Sequence, residues 1–336
     1  MRRRLELVKD LVRARVLRQP VPLHVSWIVT YRCNLHCTYC DRPEIDASEL
    51  SPDAALRLVD ELADAGCAQL SITGGDPLVR KDLPAILERG RARGLRLKLN
   101  TNGLLVRKRL DAVRLVHGVT VSLDGAPEPH DAVRGKGAFA GAISGARAVK
   151  ELGIPLSFTT VIGRANAAEL GAVLDIAERL GARVMFQPGS ARTLGAQTRE
   201  NRERAEADAY RRAIDALVAW KRAGRPIVNS LDGLAWLRHW PAPKPMECMG
   251  GVLFARIDPD GQVRACGHLP RGEDNNALGL GICEAMARLE KPDCSLCYSA
   301  ARVELNLVMS GSVDAAWNQV RGALAKRLAA GDGHAP

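Results

Sequence analysis

From residue 24 onward, short apolar runs take turns with amphipathic stretches of helical length, the pattern of repeated β/α units around a parallel sheet. Strands are predicted over residues 24–30, 68–73, 95–100, 118–123, 156–162 and 183–186, with helices over 53–65, 83–93, 108–113, 139–152 and 167–180. Six such units predict an α/β fold of the (β/α)6 partial TIM barrel type rather than a closed barrel of eight. Ser51-Pro52 marks a helix start, an N-cap followed by proline in the first turn, and Gly94 and Gly181 mark helix ends. One more long helix is expected over 205–223. After Pro226 the pattern changes to two short strands, 251–257 and 262–265, joined by Asp258-Pro259-Asp260-Gly261, whose Asp-Gly pair supplies the positive φ of a hairpin turn. The expected division is a basic amphipathic helix over residues 1–23, a barrel over 24–225, a small α+β domain over 226–330 and a disordered tail over 331–336.

Composition is compatible with that division. The chain has 336 residues, 46% of them apolar and 4% aromatic, enough for one large core with a smaller module beside it. No apolar run reaches the length of about 18 residues that a membrane helix needs. The first residues are charged and no apolar signal region follows, so a cytoplasmic protein without integral membrane contact is expected. The net charge is +10, but the arginines are spread along the chain, as in Arg91, Arg93 and Arg96 or Arg202, Arg204, Arg211 and Arg212. They form no tract interleaved with aromatics, so a solvated basic surface is expected and a nucleic-acid partner is not. Near the N-terminus, Leu5, Val8, Leu11, Val12 and Val16 make one apolar stripe, expected to pack on the barrel; lying on anionic lipid or docking an acidic reductant are its other uses.

Cysteine usage changes the picture most. Nine cysteines, an odd number in a chain without secretory features, point to metal or redox chemistry rather than a disulfide framework. Cys33-Asn34-Leu35-His36-Cys37-Thr38-Tyr39-Cys40 is a CxxxCxxC array directly after the first predicted strand. Three thiolates on one loop can hold three irons of a cubane cluster and leave the fourth open to chelate a small ligand. A structural zinc site is the competing reading, but it wants four ligands in paired spacing, and His36 is poorly placed to be the fourth. The loops after the next strands fall on the same face, where β/α barrels build their sites: Gly74-Gly75-Asp76-Pro77, Asn100-Thr101-Asn102-Gly103 and Ser122-Leu123-Asp124-Gly125. There glycines let backbone approach a ligand, and a carboxylate can accept from an ammonium. Near the C-terminus Cys248, Cys266, Cys294 and Cys297 form a second set, the first two brought together by the hairpin; by pattern alone it suits zinc or an iron–sulfur cluster equally. Cys67 reads as a core residue, Cys283 as a buried helix thiol with a substitute ligand or hydrogen-atom donor as its other roles, and His36 and His268 as loop histidines.

Together these motifs resemble the radical S-adenosylmethionine (SAM) superfamily, in particular its members with SPASM or twitch auxiliary-cluster domains, over roughly residues 24 to 300. The resemblance implies that Cys33, Cys37 and Cys40 ligate a SAM-binding 4Fe-4S cluster, that Tyr39 packs by the adenine, and that Gly74, Gly75 and Asp76 receive the SAM amino group. Asn102, in the loop after the third strand, joins this candidate SAM-contacting set. Ser122 and Asp124 would approach the carboxylate and ribose, and Arg134 in His130-Asp131-Ala132-Val133-Arg134-Gly135 would pair with the carboxylate. The family usually carries glutamate where this chain has the shorter Asp76. Cys248-Met249-Gly250-Gly251, the 257–261 turn and Cys266 resemble a twitch domain, which implies a second, auxiliary 4Fe-4S cluster on Cys248, Cys266, Cys294 and Cys297 that conducts electrons or braces the site. The implied activity is reductive cleavage of SAM to a 5′-deoxyadenosyl radical and removal of a hydrogen atom from a substrate carbon. The implied partners are a small-molecule substrate, or alternatively a ribosomal peptide, and a flavodoxin- or ferredoxin-type electron donor. A zinc-bound scaffold or nucleic-acid-binding protein is the rival of a different class.

Overall fold

The computed structural model describes residues 11–195, 199–242, 244–267, 274–290, 297 and 299–331, with side chains as far as residue 322. Six parallel strands, β1 (His24–Ile28), β2 (Gln69–Thr73), β3 (Arg96–Thr101), β4 (Val119–Ser122), β5 (Leu156–Ile162) and β6 (Arg183–Pro188), lie side by side in chain order. All six form within two residues of their predicted ends. Residues 11–16 are helical and give α1. The connections supply α2 (Pro52–Asp64), α3 (Leu83–Ala92), α4 (Leu110–Val113), α5 (Pro127–Arg134), α6 (Ala138–Glu151), α7 (Leu170–Leu180) and α8 (Ala207–Arg222). The start of α2 is as the sequence predicts: Ser51 caps it, its side chain accepting from the Ala54 N–H at 3.3 Å. Gly181 closes α7 in the left-handed conformation at φ 63°. The α5 segment is not among the predicted helices; Pro127 occupies its first turn, where its missing N–H costs nothing.

The chain after residue 226 adds α9 (Leu231–Leu237), strands β7 (Phe254–Ile257) and β8 (Val263–Arg264), then α10 (Ala277–Leu280), α11 (Ile282–Ala287), α12 (Ala300–Met309) and α13 (Val313–Gly331). β7 and β8 form the predicted antiparallel hairpin, with Gly261 at φ 89°. The hairpin is also part of the barrel sheet: β7 pairs in parallel with β1, His24 against Phe254 through Trp27 against Ile257, and the sheet order is β6-β5-β4-β3-β2-β1-β7-β8. One apolar cluster accordingly joins Leu58, Leu70, Phe158 and Val184 with Ile257, Ile282, Met286 and Val303. Burying each of these side chains contributes about 1.5–3 kcal/mol.

α1 packs differently from its predicted stripe. Ala14 is fully buried and Leu11 packs beside it against Val21, Leu23 and Phe254, whereas Val12 and Val16 are 53% and 70% exposed; Leu5 and Val8 lie outside the described residues. Among the described residues no helix is long and apolar enough to cross a membrane.

Every barrel strand has one apolar and one polar face. Val25, Trp27, Leu70, Ile72, Leu97 and Leu99 are buried in the core shared with the helices, while alternate residues such as Ser26, Ser71, Lys98, Asn100, Thr120 and Ser157 line a cavity of about 550 Å³. A parallel strand covered on both faces ordinarily reads as a continuous apolar run. The period-two alternation therefore signals a polar lumen in place of the aliphatic layers that fill a closed barrel. Ser299, Ala301, Arg302 and Leu305, at and along α12, line the same cavity.

Candidate active site

The array Cys33–Cys40 leaves the end of β1 as an irregular loop, and all three thiols line the mouth of the cavity. The loop is held by backbone bonds from Thr38 N–H to the Val133 carbonyl at 2.9 Å, from Cys40 N–H to the Cys37 carbonyl at 3.0 Å, and reciprocally between Tyr39, Asp41 and Leu194. Tyr39, Val133 and Val161 cluster beside Cys37, Cys40 and Leu194, so one side of the array is apolar. The Cys33 sulfur accepts from Leu35 N–H at 3.4 Å and Asn102 Nδ2 at 3.8 Å.

Burial pushes the Cys33 thiol up, against the Leu35 donor, and pushes Cys37 up to about 12 despite the Arg134 charge. Charge on Cys40 would reinforce both shifts, so the thiols lie within electrostatic reach of one another. Unligated, Cys33 and Cys37 are neutral, and metal must displace their protons. Among the described residues no three Cys, His, Asp or Glu side chains converge on a single ion-sized point. Three thiolates that each ligate a different iron do not require that convergence. The donor set, the N–H groups aimed at sulfur and the adjacent arginine thus fit a cubane cluster with one open iron.

The loop after β2 is seated beneath the array. Gly75 N–H donates to the Thr30 carbonyl and Asp76 N–H to the Arg32 carbonyl, each at 2.9 Å. A Cβ at Gly75 would collide with the carbonyl oxygens of Tyr31 and Arg32, and one at Gly74 with that of Thr30. The glycines are thus required for loop-on-loop packing, where the sequence suggested close approach to a ligand. Gly75→Ala is expected to lower stability by roughly 1–3 kcal/mol and to reduce iron retained per chain after reconstitution; a thermal midpoint and iron content equal to wild type would contradict this.

Two predicted contacts sit behind the cavity instead of on its wall. Asp76 is fully buried, and its carboxylate accepts from Thr101 Oγ1 at 2.7 Å, Asn102 N–H at 2.8 Å and Leu78 N–H at 3.0 Å. Those three donors occupy it within the protein, so it ties the β2 loop to the β3 loop where an ammonium was expected to bind. Asp124 is likewise buried: Oδ2 accepts from the Tyr39 hydroxyl at 2.8 Å and Arg134 Nε at 2.6 Å, and Oδ1 from Val161 N–H at 2.9 Å. Burial drives the Asp124 carboxyl upward, but the Arg134 guanidinium overcomes it and holds the group below its ordinary range. Burial works against the Arg134 charge in turn, yet Asp124 and then Tyr39 hold it firmly protonated. His130 Nδ1 accepts from Asp124 N–H at 3.1 Å and is lowered to about 4, chiefly by burial and then by Arg134, so it is neutral.

The remaining predicted residues do line the cavity: Tyr39, Gly74, Gly75, Asn102, Ser122 and Arg134. Asn102 Nδ2 also donates to Asn34 Oδ1 at 2.8 Å. Sequence reasoning missed Arg42, which lines the cavity, donates to the Gly74 carbonyl at 2.7 Å and has a buried Nε with no partner among the described residues. It also missed the lumen itself, which the alternation in β1 to β6 signals.

In the second cysteine set, Cys266 lines the cavity, and the Gly250 N–H lies 3.4 Å from the Cys248 sulfur. An added Cβ at Gly250 would lie 3.2 Å from the Ala265 carbonyl and 3.3 Å from the Cys248 sulfur, so the hairpin brings Cys248 close to Cys266. Cys297 lies beside Trp236, Trp240 and Lys244, and Cys294 and His268 lie outside the described residues. Cys67 is buried, as expected; Cys283, expected to be buried, is exposed on α11, with Glu61 and Arg13 as its charged neighbours.

The profile of the Radical SAM superfamily matches residues 27–177. The PqqA peptide cyclase of Ruegeria pomeroyi is 33% identical over 257 residues, covering 74% of this chain and 68% of that protein. The Fe-coproporphyrin III synthase of Methanosarcina barkeri is 38% identical over 162 residues, 46% of this chain and 40% of that protein, so this chain aligns with less than half of that relative. The crystal structure of Streptococcus suis SuiB superimposes with a TM-score of 0.65 at 14% identity, covering 86% of this chain and 71% of that one, a likeness of fold. Enzyme, not zinc scaffold, is the class these relatives share, and the chain belongs to the radical SAM superfamily, whose members use a 4Fe-4S cluster and SAM.

Proposed function

We propose that Cys33, Cys37 and Cys40 hold the cluster, that SAM binds against Tyr39, Gly74, Gly75, Asn102, Ser122 and Arg134, and that the substrate occupies the lumen beneath. Held by Cys33, Cys37 and Cys40 and reduced by a flavodoxin- or ferredoxin-type donor, a 4Fe-4S cluster would supply the one electron that cleaves a carbon–sulfur bond of SAM to methionine and a 5′-deoxyadenosyl radical, which would take a hydrogen atom from a substrate carbon. The chain's own part is to position and to exclude water. Arg134 presents a permanent cation to the SAM carboxylate while Asp124 fixes its orientation from behind. The Tyr39 ring, its hydroxyl anchored on the same Asp124, offers a flat apolar face for the adenine. Asp76 aligns the β2 and β3 loops without touching the ligand. Cys248, Cys266, Cys297 and Cys294 are assigned to an auxiliary 4Fe-4S cluster that conducts electrons or braces the mouth.

The observation that carries this reading is the placement of three thiols, with N–H donors to Cys33, around the mouth of one polar cavity. A small molecule is one reading of the occupant of that polar lumen; a peptide entering from the open mouth is the other, supported by relatives named peptide cyclase and mycofactocin maturase. Anaerobically reconstituted protein should be brown, with broad absorbance near about 400 nm, and with dithionite should convert SAM to 5′-deoxyadenosine and methionine in equal amounts. Protein that holds no iron, or holds it and never cleaves SAM, would overturn the proposal.

A further inference from the structure

Of the three cysteines in the array, Cys33 alone has N–H donors on its sulfur among the described residues: Leu35 N–H at 3.4 Å and Asn102 Nδ2 at 3.8 Å. The first comes from the array's own loop. The second crosses from the loop after β3, 69 positions along the chain, so the fold supplies it. Neighbouring groups settle which way the Asn102 amide points. Its Oδ1 accepts from Leu104 N–H at 3.0 Å, and a backbone N–H can only donate, so the other end of the amide is the NH2. One of its protons faces the Cys33 sulfur and the other faces Asn34 Oδ1 at 2.8 Å. That Oδ1 also lies 4.0 Å from the Cys33 sulfur as an acceptor for the thiol proton, a role that ends when metal displaces the proton. The backbone is held as well: Asp76 Oδ2 accepts from Asn102 N–H at 2.8 Å and from Thr101 Oγ1 at 2.7 Å, and that hydroxyl accepts from Gly103 N–H at 3.1 Å. Asn102 is 7% exposed, and a Cβ on Gly103 would come within 2.9 Å of the Ala142 Cα, so α6 leaves the loop no room to slide.

These bonds define what the amide can do. On a ligating thiolate, an N–H aimed at sulfur favours the state with more negative charge there, which is the reduced one. Burial pushes the Cys33 thiol up, the Leu35 and Asn102 bonds oppose it, and charge on Asp76 and Cys40 reinforces it. The Asn102 donor therefore works in the direction that stabilises negative charge at this corner of the array. Cys37 has the Arg134 cation for that purpose, whereas at Cys33 the fold contributes a neutral amide. Asp76 lies behind the cavity wall, yet by fixing Asn102 it reaches the array.

We propose that Asn102 is a positioning residue that raises the reduction potential of the centre held at Cys33, with Asp76 and the Leu104 N–H keeping its amide on the sulfur. This rests on the reading of Cys33, Cys37 and Cys40 as ligands of the SAM-binding cluster. Reconstituted protein is titrated with dithionite in the presence of redox mediators, and EPR follows the reduced signal that changes when SAM is added, which separates the array from the second cysteine set. Asn102→Ser keeps a hydroxyl able to accept from Leu104 N–H but too short to reach the sulfur; Asn102→Ala removes both bonds. Each should shift the reduction equilibrium toward the oxidised form on the order of tenfold, which is ~59 mV for a one-electron couple. Thermal midpoint and iron per chain are read on the same samples, and if one variant does not fold the other decides. A merely structural role would lower the thermal midpoint and leave the potential of folded protein where it was. A fall of at least about threefold in the reduction equilibrium supports the proposal. A smaller fall, a rise, or folded variants that retain no iron overturns it. Wild-type protein with no SAM-sensitive signal fails the earlier reading and this one with it; a SAM-sensitive signal whose potential ignores both variants fails this inference alone.

Discussion

Cys37→Ala should abolish reductive SAM cleavage, lowering 5′-deoxyadenosine formation on the order of a thousandfold or more. Cys37 lies beside Arg134 at the mouth, and burial already pushes its thiol up to about 12. On the proposed ligation, alanine there would leave one iron corner without a protein ligand, next to an apolar cluster that cannot supply a replacement donor. The loop itself should survive, because its backbone bonds to Val133 and Leu194 do not involve the thiol. The measurement is product formation by chromatography, with iron per chain and a thermal midpoint on the same sample. A variant that folds and cleaves SAM within tenfold of wild type would remove Cys37 from the ligand set.

Asp124→Asn is expected to cost about 3–5 kcal/mol, because it strips the carboxylate from the Arg134 pair and leaves a buried cation uncompensated. Asparagine keeps the size of the side chain and can still accept from Val161 N–H, so the loss reports charge more than shape. The pH dependence follows from the direction of the shift. The Asp124 carboxyl is held below its unfolded value, so its contribution is fully present above about pH 4 and is lost as pH falls through the lower folded value. Denaturation of wild type and variant should differ by a constant amount between about pH 6 and 8 and converge in acid. The Michaelis constant for SAM should rise as well, since Arg134 loses the group that orients it. A stability difference below about 1 kcal/mol at neutral pH would show that the pair contributes no more than a surface ion pair.

The barrel strands were legible because each βα unit carries its own signals, such as the Ser51 cap and Gly181, so local chemistry and tertiary packing agree. The cysteine array was legible because its spacing and its place after β1 are both written in a dozen consecutive residues. Asp76 and Asp124 were harder: a carboxylate on the active face of a barrel reads the same whether it meets ligand or backbone. Only the bonds from Thr101, Asn102, Tyr39 and Arg134, distant in sequence, decide that. The pairing of β7 with β1 was hidden for a similar reason. Residues 28 and 254 are separated by most of the chain, and nothing local to Phe254–Ile257 names its neighbour. The alternation along β1 to β6 was present in the sequence throughout, but takes on meaning only once both faces of each strand are located.

That same pairing has a mechanical consequence. Because β1 is flanked by β2 on one side and β7 on the other, the stem that carries the first cysteines is clamped from both flanks. The hairpin bearing Cys266 cannot swing away without tearing the ladder that anchors Trp27 to Ile257. The separation between the two sulfur-rich regions is thereby set by covalent and hydrogen-bonded geometry, fixed before any cargo arrives. Severing the chain after α9 would bare an unpaired border along β1, so the late segment is masonry of the vessel and not an accessory hung upon it.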